Sequence, residues 1–211
     1  MHRRSLVLSF LAISQAAGQQ VSVPLKPPFG IQNQLISPDE VYGLFGDHNA
    51  LWLEDERTHE IRKVMDVTVQ TMTLAWSPDS SAFIANDRAL SDVENAYVYD
   101  AKKLDRIDLR RQVLAADHWA ASRFTASANL AASHSYFHAL RWLDARHIEM
   151  QLHGHTDGTL SGRPFRPGHA EDSIRPGDCF DLRYRVGIDG VVQRLSQRIA
   201  PLTSTRCNSI E

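Results

Sequence analysis

The sequence predicts a β-rich α+β domain: antiparallel sheets with one central helix. Two observations carry that prediction. Short runs with two-residue alternation, or rich in β-branched and aromatic residues, recur between turn signals along most of the chain. One segment, Leu104 to Ser127, changes instead to helical spacing.

Residues 1–18 read as an export signal. Arg3 and Arg4 give the positive start, Ser5 to Ile13 is apolar apart from its serines, and Ala16, Ala17 and Gly18 offer small residues for cleavage. The apolar stretch is about nine residues, whereas a helix needs about twenty to cross a bilayer, so no membrane span is expected here. With no cysteine before Cys179, lipid attachment at an N-terminal cysteine is not expected. The paired arginines also fit a twin-arginine signal, which leaves the export route open. The expected location is the periplasm or the extracellular space.

Residues 19–40, with Pro24, Pro27, Pro28 and Pro38 and little periodicity, read as an extended lead-in. A single β-rich domain is expected over 41–211. Asn49 to Glu54 and His59 to Val64 form a first hairpin around the turn Asp55 to Thr58. Val67 to Trp76, the turn Ser77 to Ser81 and Ala82 to Ala85 give strand, turn, strand; a polar loop, Asn86 to Asn95, then leads to the strand Ala96 to Tyr99. These strands in succession make a meander.

In the helical segment Ile107, Leu109, Val113, Leu114, Ala116, Trp119 and Phe124 share helical spacing, with no Pro or Gly among them, so a helix in one piece or two is expected. Tyr136 to Trp142 and His147 to Leu152 repeat the strand signal around Asp144 and Ala145. The stretch His153 to Pro176, with four glycines and three prolines, reads as a long loop. Cys179 to Ile188 and Val191 to Ser196 close a last hairpin at the two-residue turn Asp189-Gly190.

The formal charge is -2; without Arg3 and Arg4 it becomes 21 basic against 25 acidic side chains, with no basic block. Nucleic acid is therefore not an expected partner. Cys179 and Cys207 meet an oxidising compartment if the chain is exported, which favours a disulfide, although spacing alone leaves free thiols open.

Leu74 to Asp100, reading LAWSPDSSAFIANDRALSDVENAYVYD, resembles a blade repeat of the TolB-like β-propellers. Trp76 would fill the space between sheets, Pro78 presets the turn and Asp79 can bond the turn backbone. Leu140 to Met150 (LRWLDARHIEM) resembles a degenerate second copy, with Trp142 in the place of Trp76 and Asp144 near that of Asp79. Ser80 departs from the glycine the family prefers, and the central helix has no place in a regular propeller. Rings of this kind use about four to eight blades, so the resemblance implies antiparallel propeller-like sheets rather than a closed propeller.

Ten histidines are many for this length, and His134, His138, His147, His153, His155 and His169 crowd one third of the chain. A zinc site would draw on His134 and His138, four apart as on a helix, with His153, His155 and Asp157 from a loop, although no HExxH or paired CxxC register accompanies them. Asp87, Asp92, Glu94 and Asn95 gather oxygen atoms without the spacing of a calcium loop. No G-x-S-x-G occurs, and Cys179 lacks a cysteine-protease context. The tryptophans and tyrosines read first as core.

Three functions remain open on these grounds. The leading expectation is an exported, non-enzymatic binding or interaction module without a cofactor, whose partner is an envelope or extracellular protein or a glycan. The others are a zinc hydrolase using the histidine-rich half, and a structural accessory protein without a site.

Overall fold

The computed structural model describes residues 21–23, 34–47, 50–67, 72–90, 93–124, 134–155 and 178–201. The export signal, Asp92, Asp157, His169 and Cys207 lie outside them. Strand β1 (Val21–Val23) leads into a four-stranded antiparallel sheet of β2 (Leu35–Ile36), β3 (Tyr42–Asp47), β4 (Ala50–Asp55) and β5 (Glu60–Asp66). A second blade follows with β6 (Met72–Trp76), β7 (Ala82–Leu90), β8 (Val93–Asp100) and β9 (Arg106–Asp108), and β1 pairs with the free side of β6. After α1 (Leu109–Ala116) and α2 (His118–Phe124) the third blade comprises β10 (His134–Trp142), β11 (His147–His155), β12 (Asp178–Gly187) and β13 (Val192–Pro201). The architecture is β-rich and propeller-like; the second and third blades, with β1, are joined through parallel pairing of β8 with β10 into one nine-stranded sheet, the first blade is a separate four-stranded sheet, and among the described residues both sheets are open in their pairing order.

The second blade is buried on both faces, which explains its near-continuous apolar runs. Leu74, Trp76, Phe83 and Tyr99 face Leu44, Leu51 and Leu53 of the first blade. Ala75, Ile84, Ala96 and Val98 face Phe137, Trp142, Met150, Leu182 and Tyr184 of the third. Each interface is seated by one indole. Trp76 donates its ring N–H to the Leu35 carbonyl at 2.9 Å, and Trp142 donates to the Ala75 carbonyl at 3.2 Å. Leu35 and Ala75 each lie two residues before a Ser-Pro-Asp turn, so the same contact is made twice, one blade apart.

That turn is itself repeated. Ser77 Oγ donates to Asp79 Oδ1 at 2.7 Å, Asp79 Oδ1 accepts from Ser81 N–H at 3.2 Å, and Ala82 N–H reaches Ser77 Oγ at 3.0 Å. In the first blade Ser37, Asp39, Val41 and Tyr42 make the same set at 2.7, 3.1 and 2.9 Å. The Ser37-Pro38-Asp39 copy is one that sequence reading leaves inside the lead-in, because Ile36 stands where the other copies carry tryptophan. Asp55 and Asp100 also match: each accepts two backbone N–H groups, and each turn ends on a left-handed residue, His59 at φ 58° and Leu104 at φ 60°.

Several expectations are corrected. The helix does not begin at Leu104, which closes the Asp100 turn, and Arg106–Asp108 pairs with β8. Asp108 caps α1 by accepting from Arg111 N–H at 2.9 Å. Asp117 ends α1 and accepts from Trp119 and Ala120 N–H at 3.0 and 3.2 Å, so the segment breaks into two helices at a capping aspartate. The polar loop over Asn86 to Asn95 is mostly strand, since β7 runs to Leu90 and β8 starts at Val93. His153 and His155 belong to β11 rather than to a loop. The last hairpin turns over more than two residues: Gly187 N–H bonds the Val191 carbonyl at 2.7 Å, with Gly190 left-handed at φ 91°. The lead-in supplies strands to both sheets through β1 and β2. No helix among the described residues is long and apolar enough to cross a membrane.

Ser80, at φ 61°, and Glu40, at φ 60°, occupy positions where glycine is favoured. Ser80 has a compensation, because its Oγ accepts Asp39 N–H of the neighbouring blade at 3.0 Å. Glu40→Gly is therefore expected to stabilise by about 1 kcal/mol, while Ser80→Gly gains little because relief of strain is offset by a lost hydrogen bond of similar size. Urea melts of the two variants check this, and equal gains would contradict the role given to the Ser80 hydroxyl.

Candidate functional site

Alternation along β10 turns Phe137 and Ala139 into the core and leaves His134, Tyr136 and His138 on the opposite face. Antiparallel register sets His155, His153 and Gln151 of β11 directly across from them. β12 continues the rows with Cys179, Asp181 and Arg183. The result is a polar face built from strand pairs.

The pairs are close. The His134 and His155 rings stack with centroids 4.4 Å apart, and Tyr136 stacks on His153 at 5.2 Å. Gly154, at φ 152°, permits that approach, because a Cβ there would overlap the His134 carbonyl. Parallel pairing of Tyr136 with Glu94 brings β8 alongside, and His138 Nδ1 lies 2.7 Å from Glu94 Oε1. Arg88 of β7 stands over the Tyr136 ring with its guanidinium carbon 5.2 Å from the centroid.

Deeper in the face Asp181 is 2% exposed and fully engaged. It accepts from Gln151 at 2.9 Å and Arg198 at 2.6 Å, with Arg183 Nε at 3.4 Å. Burial alone would raise its pKa, but these donors and the Arg183 charge outweigh burial and hold it below the usual carboxylate range.

Asp87 and His153 are the contrast. Asp87 is 8% exposed, and among the described residues its Oδ1 and the buried Nδ1 of His153 have no hydrogen-bond partner. Burial, and secondarily the Glu94 charge, pushes the Asp87 carboxyl up. Burial pushes the His153 imidazole down, against the opposing pull of Glu94 and Asp181. Both groups thus feel Glu94, and both are driven toward their neutral forms.

The histidines proposed for zinc are brought onto one face, but His134 and His138 sit on a strand, where a separation of four residues spans about 13 Å, not on one helical turn. Among the described residues no three His, Cys, Asp or Glu side chains come together as a metal-holding group. Asp157 and Asp92 lie outside those residues. Asn95 is engaged by Arg110 at 3.3 Å. Cys179 is buried on β12, and its expected disulfide partner Cys207 lies outside the described residues. Sequence reasoning placed Asp87 and Glu94 in one candidate site and His138 and His153 in another, whereas the fold brings Glu94 of the first set to 2.7 Å from His138 of the second. It missed Tyr136, Gln151 and Asp181. The available signal was the polar residue at every second position of His134-x-Tyr136-x-His138 and Gln151-x-His153-x-His155.

The Asp87 shift has a definite sign. A carboxyl raised on folding favours the folded state while protonated and loses that contribution as pH rises through its folded pKa. Asp87→Asn, which keeps the shape and removes the charge, is expected to be neutral below about pH 4 and stabilising by about 1 kcal/mol near pH 7. Melting temperatures across that range check it; a difference independent of pH would contradict the assignment.

No family model matches the chain, and no curated protein matches it. Among solved structures it is similar to the dipeptidyl peptidase 4 of Porphyromonas gingivalis, at 11% identity and a TM-score of 0.47, over 84% of this chain and 27% of that one. The chain thus spans about a quarter of that protein's length.

Proposed function

We propose that the chain is an exported, non-enzymatic binding module, in which propeller-like blades form the scaffold and the polar face of the third blade receives the ligand. The partner class is an envelope or extracellular protein or a glycan. One observation carries the reading: among the described residues the buried atoms Asp87 Oδ1 and His153 Nδ1, both within the electrostatic influence of Glu94, have no hydrogen-bond partner. Buried polar atoms are nearly always paired, and leaving one unpaired costs about 1–3 kcal/mol. A bound group that supplies a missing partner accounts for tolerating such a cost. The resemblance of Leu74 to Asp100 to TolB-like blades supports the same class, as does the signal pattern of residues 1–18 for export.

Purified chain immobilised at its C-terminus is expected to retain a component of envelope extracts that His153→Phe retains about tenfold less well. Retention that is indifferent to His153, or none at all, would reject this face as the binding surface. Export and the cysteine pair are tested together. Protein recovered from the exporting cell is expected to lack residues 1–18 by intact mass, and to take up alkylating label at Cys179 and Cys207 only after reduction. Labelling before reduction would remove the disulfide.

A further inference from the structure

We infer that two copies of this chain pair reciprocally, the outer face of the first blade of each seated on the outer face of the third blade of the other. The inference goes beyond the ligand reading and does not rest on it. It comes from a packing rule that the molecule applies twice. Blade meets blade through two cross-strand rows: an anchor row that begins at the residue before the turn, and a seat row that begins one residue earlier. Trp76, Phe83 and Tyr99 are the anchor row of the second blade, and they lie on Leu35, Leu44 and Leu53 of the first. Trp142, Ile148 and Val186 are that of the third, and they lie on Ala75, Ile84 and Val98 of the second. All four rows are aliphatic or aromatic.

Among the described residues one anchor row and one seat row have no blade opposite, and these two carry charge. In the first blade the anchor register reads Ile36, Gly43, Glu54 and Ile61. Glu56 folds over Gly43, into the space a side chain there would need, so two carboxylates stand where the second blade has aromatic rings. In the third blade the seat register reads Arg141, Glu149 and Arg185. Glu149 is held by Arg141 at 2.8 Å, whereas Arg185 stands 3.7 Å from Asp144, beyond hydrogen-bond reach. Tyr99, at the register of Glu54, reaches Met65 on the outer strand of its neighbouring blade. Glu54 would by the same rule fall on the Arg185 side of the third blade.

The blades as wholes agree with this match. Leu35 to Asp66 holds eight acidic side chains against three basic, while His134 to His155 with Asp178 to Pro201 holds six arginines against five acids. Opposite charge at matching register steers two surfaces together and fixes how they meet. The large apolar side chains exposed among the described residues are Ile36 and Ile61 on the first blade and Leu143, Val191 and Leu195 on the third, with none on the second. Apolar exposure is thus confined to the two blades that a contact between copies would use. Two such head-to-tail contacts made reciprocally close on themselves, and the blades so joined fall within the about four to eight of a ring.

Sedimentation velocity on the purified full chain is the test. The chain is expected to sediment as a dimer at low salt and to dissociate as salt screens the contact. Glu54→Arg and Arg185→Glu, each alone, put like charges at both contacts and are expected to weaken dimerisation about tenfold. Mixed in equal amounts, the two variants match charge at both contacts of the mixed pair, and the dimer is expected to return. Mixing does not repair a misfolded chain, so recovery separates lost contact from lost fold. A chain that stays monomeric at low salt would overturn the inference, as would a dimer indifferent to both substitutions. So would a mixture no tighter than its parts, or species that grow beyond two copies with concentration. His153-dependent retention of envelope material is scored separately, so either reading can fall without the other.

Discussion

The indole seated on a neighbouring backbone carbonyl is the contact from which the rest of this molecule follows. Trp76 on Leu35 and Trp142 on Ala75 fix the distance and rotation between consecutive blades. Each also satisfies a buried donor that would otherwise be costly in an apolar interface. With both indoles in place the second blade must be apolar on its two faces, which is why β6, β7 and β8 lack the alternation seen elsewhere. The third blade packs its apolar face against the second. Its other face carries the polar rows of β10, β11 and β12, buried in part, and the candidate site is built there.

Much of the fold could be read from the chain because its turns are chemical. Ser-Pro-Asp at 77–79 and the aspartates at 100 and 144 announce themselves through side chains that bond backbone N–H groups. The first copy of the turn was hidden, since Ile36 replaces the tryptophan and the surrounding prolines suggest an unstructured lead. The helix boundaries were misplaced for a related reason. Asp108 and Asp117 are capping residues within an otherwise helical pattern, and apolar spacing does not register a cap.

The site was legible in pieces and not as a whole. Histidine density drew attention to β10 and β11, and a cluster of acids to the end of β7 and the start of β8. Nothing local joins them, because the link is a two-residue parallel pairing between strands some forty residues apart. The electrostatic division within the face is likewise a product of tertiary contact. Asp181 is buried with three donors around it and is held below the usual carboxylate range, while Asp87, whose Oδ1 has no partner among the described residues, is pushed toward neutrality by burial and the Glu94 charge. Two aspartates with the same intrinsic chemistry are thus shifted in opposite directions by their surroundings.

The sharing of β8 carries a further consequence. One length of this strand is bonded to β9 and the adjoining length to β10, so its far edge belongs to two blades at once. The blades are repeats in their turns and indoles, yet they are not modules in the sense of separable parts. A cut made between α2 and β10 would strip the partner from Val93 and Glu94 and expose that stretch of backbone, and the acid that orients His138 would lose its strand support with it. Duplication or exchange of the third blade alone is closed to this architecture, and any rearrangement has to carry the second blade along.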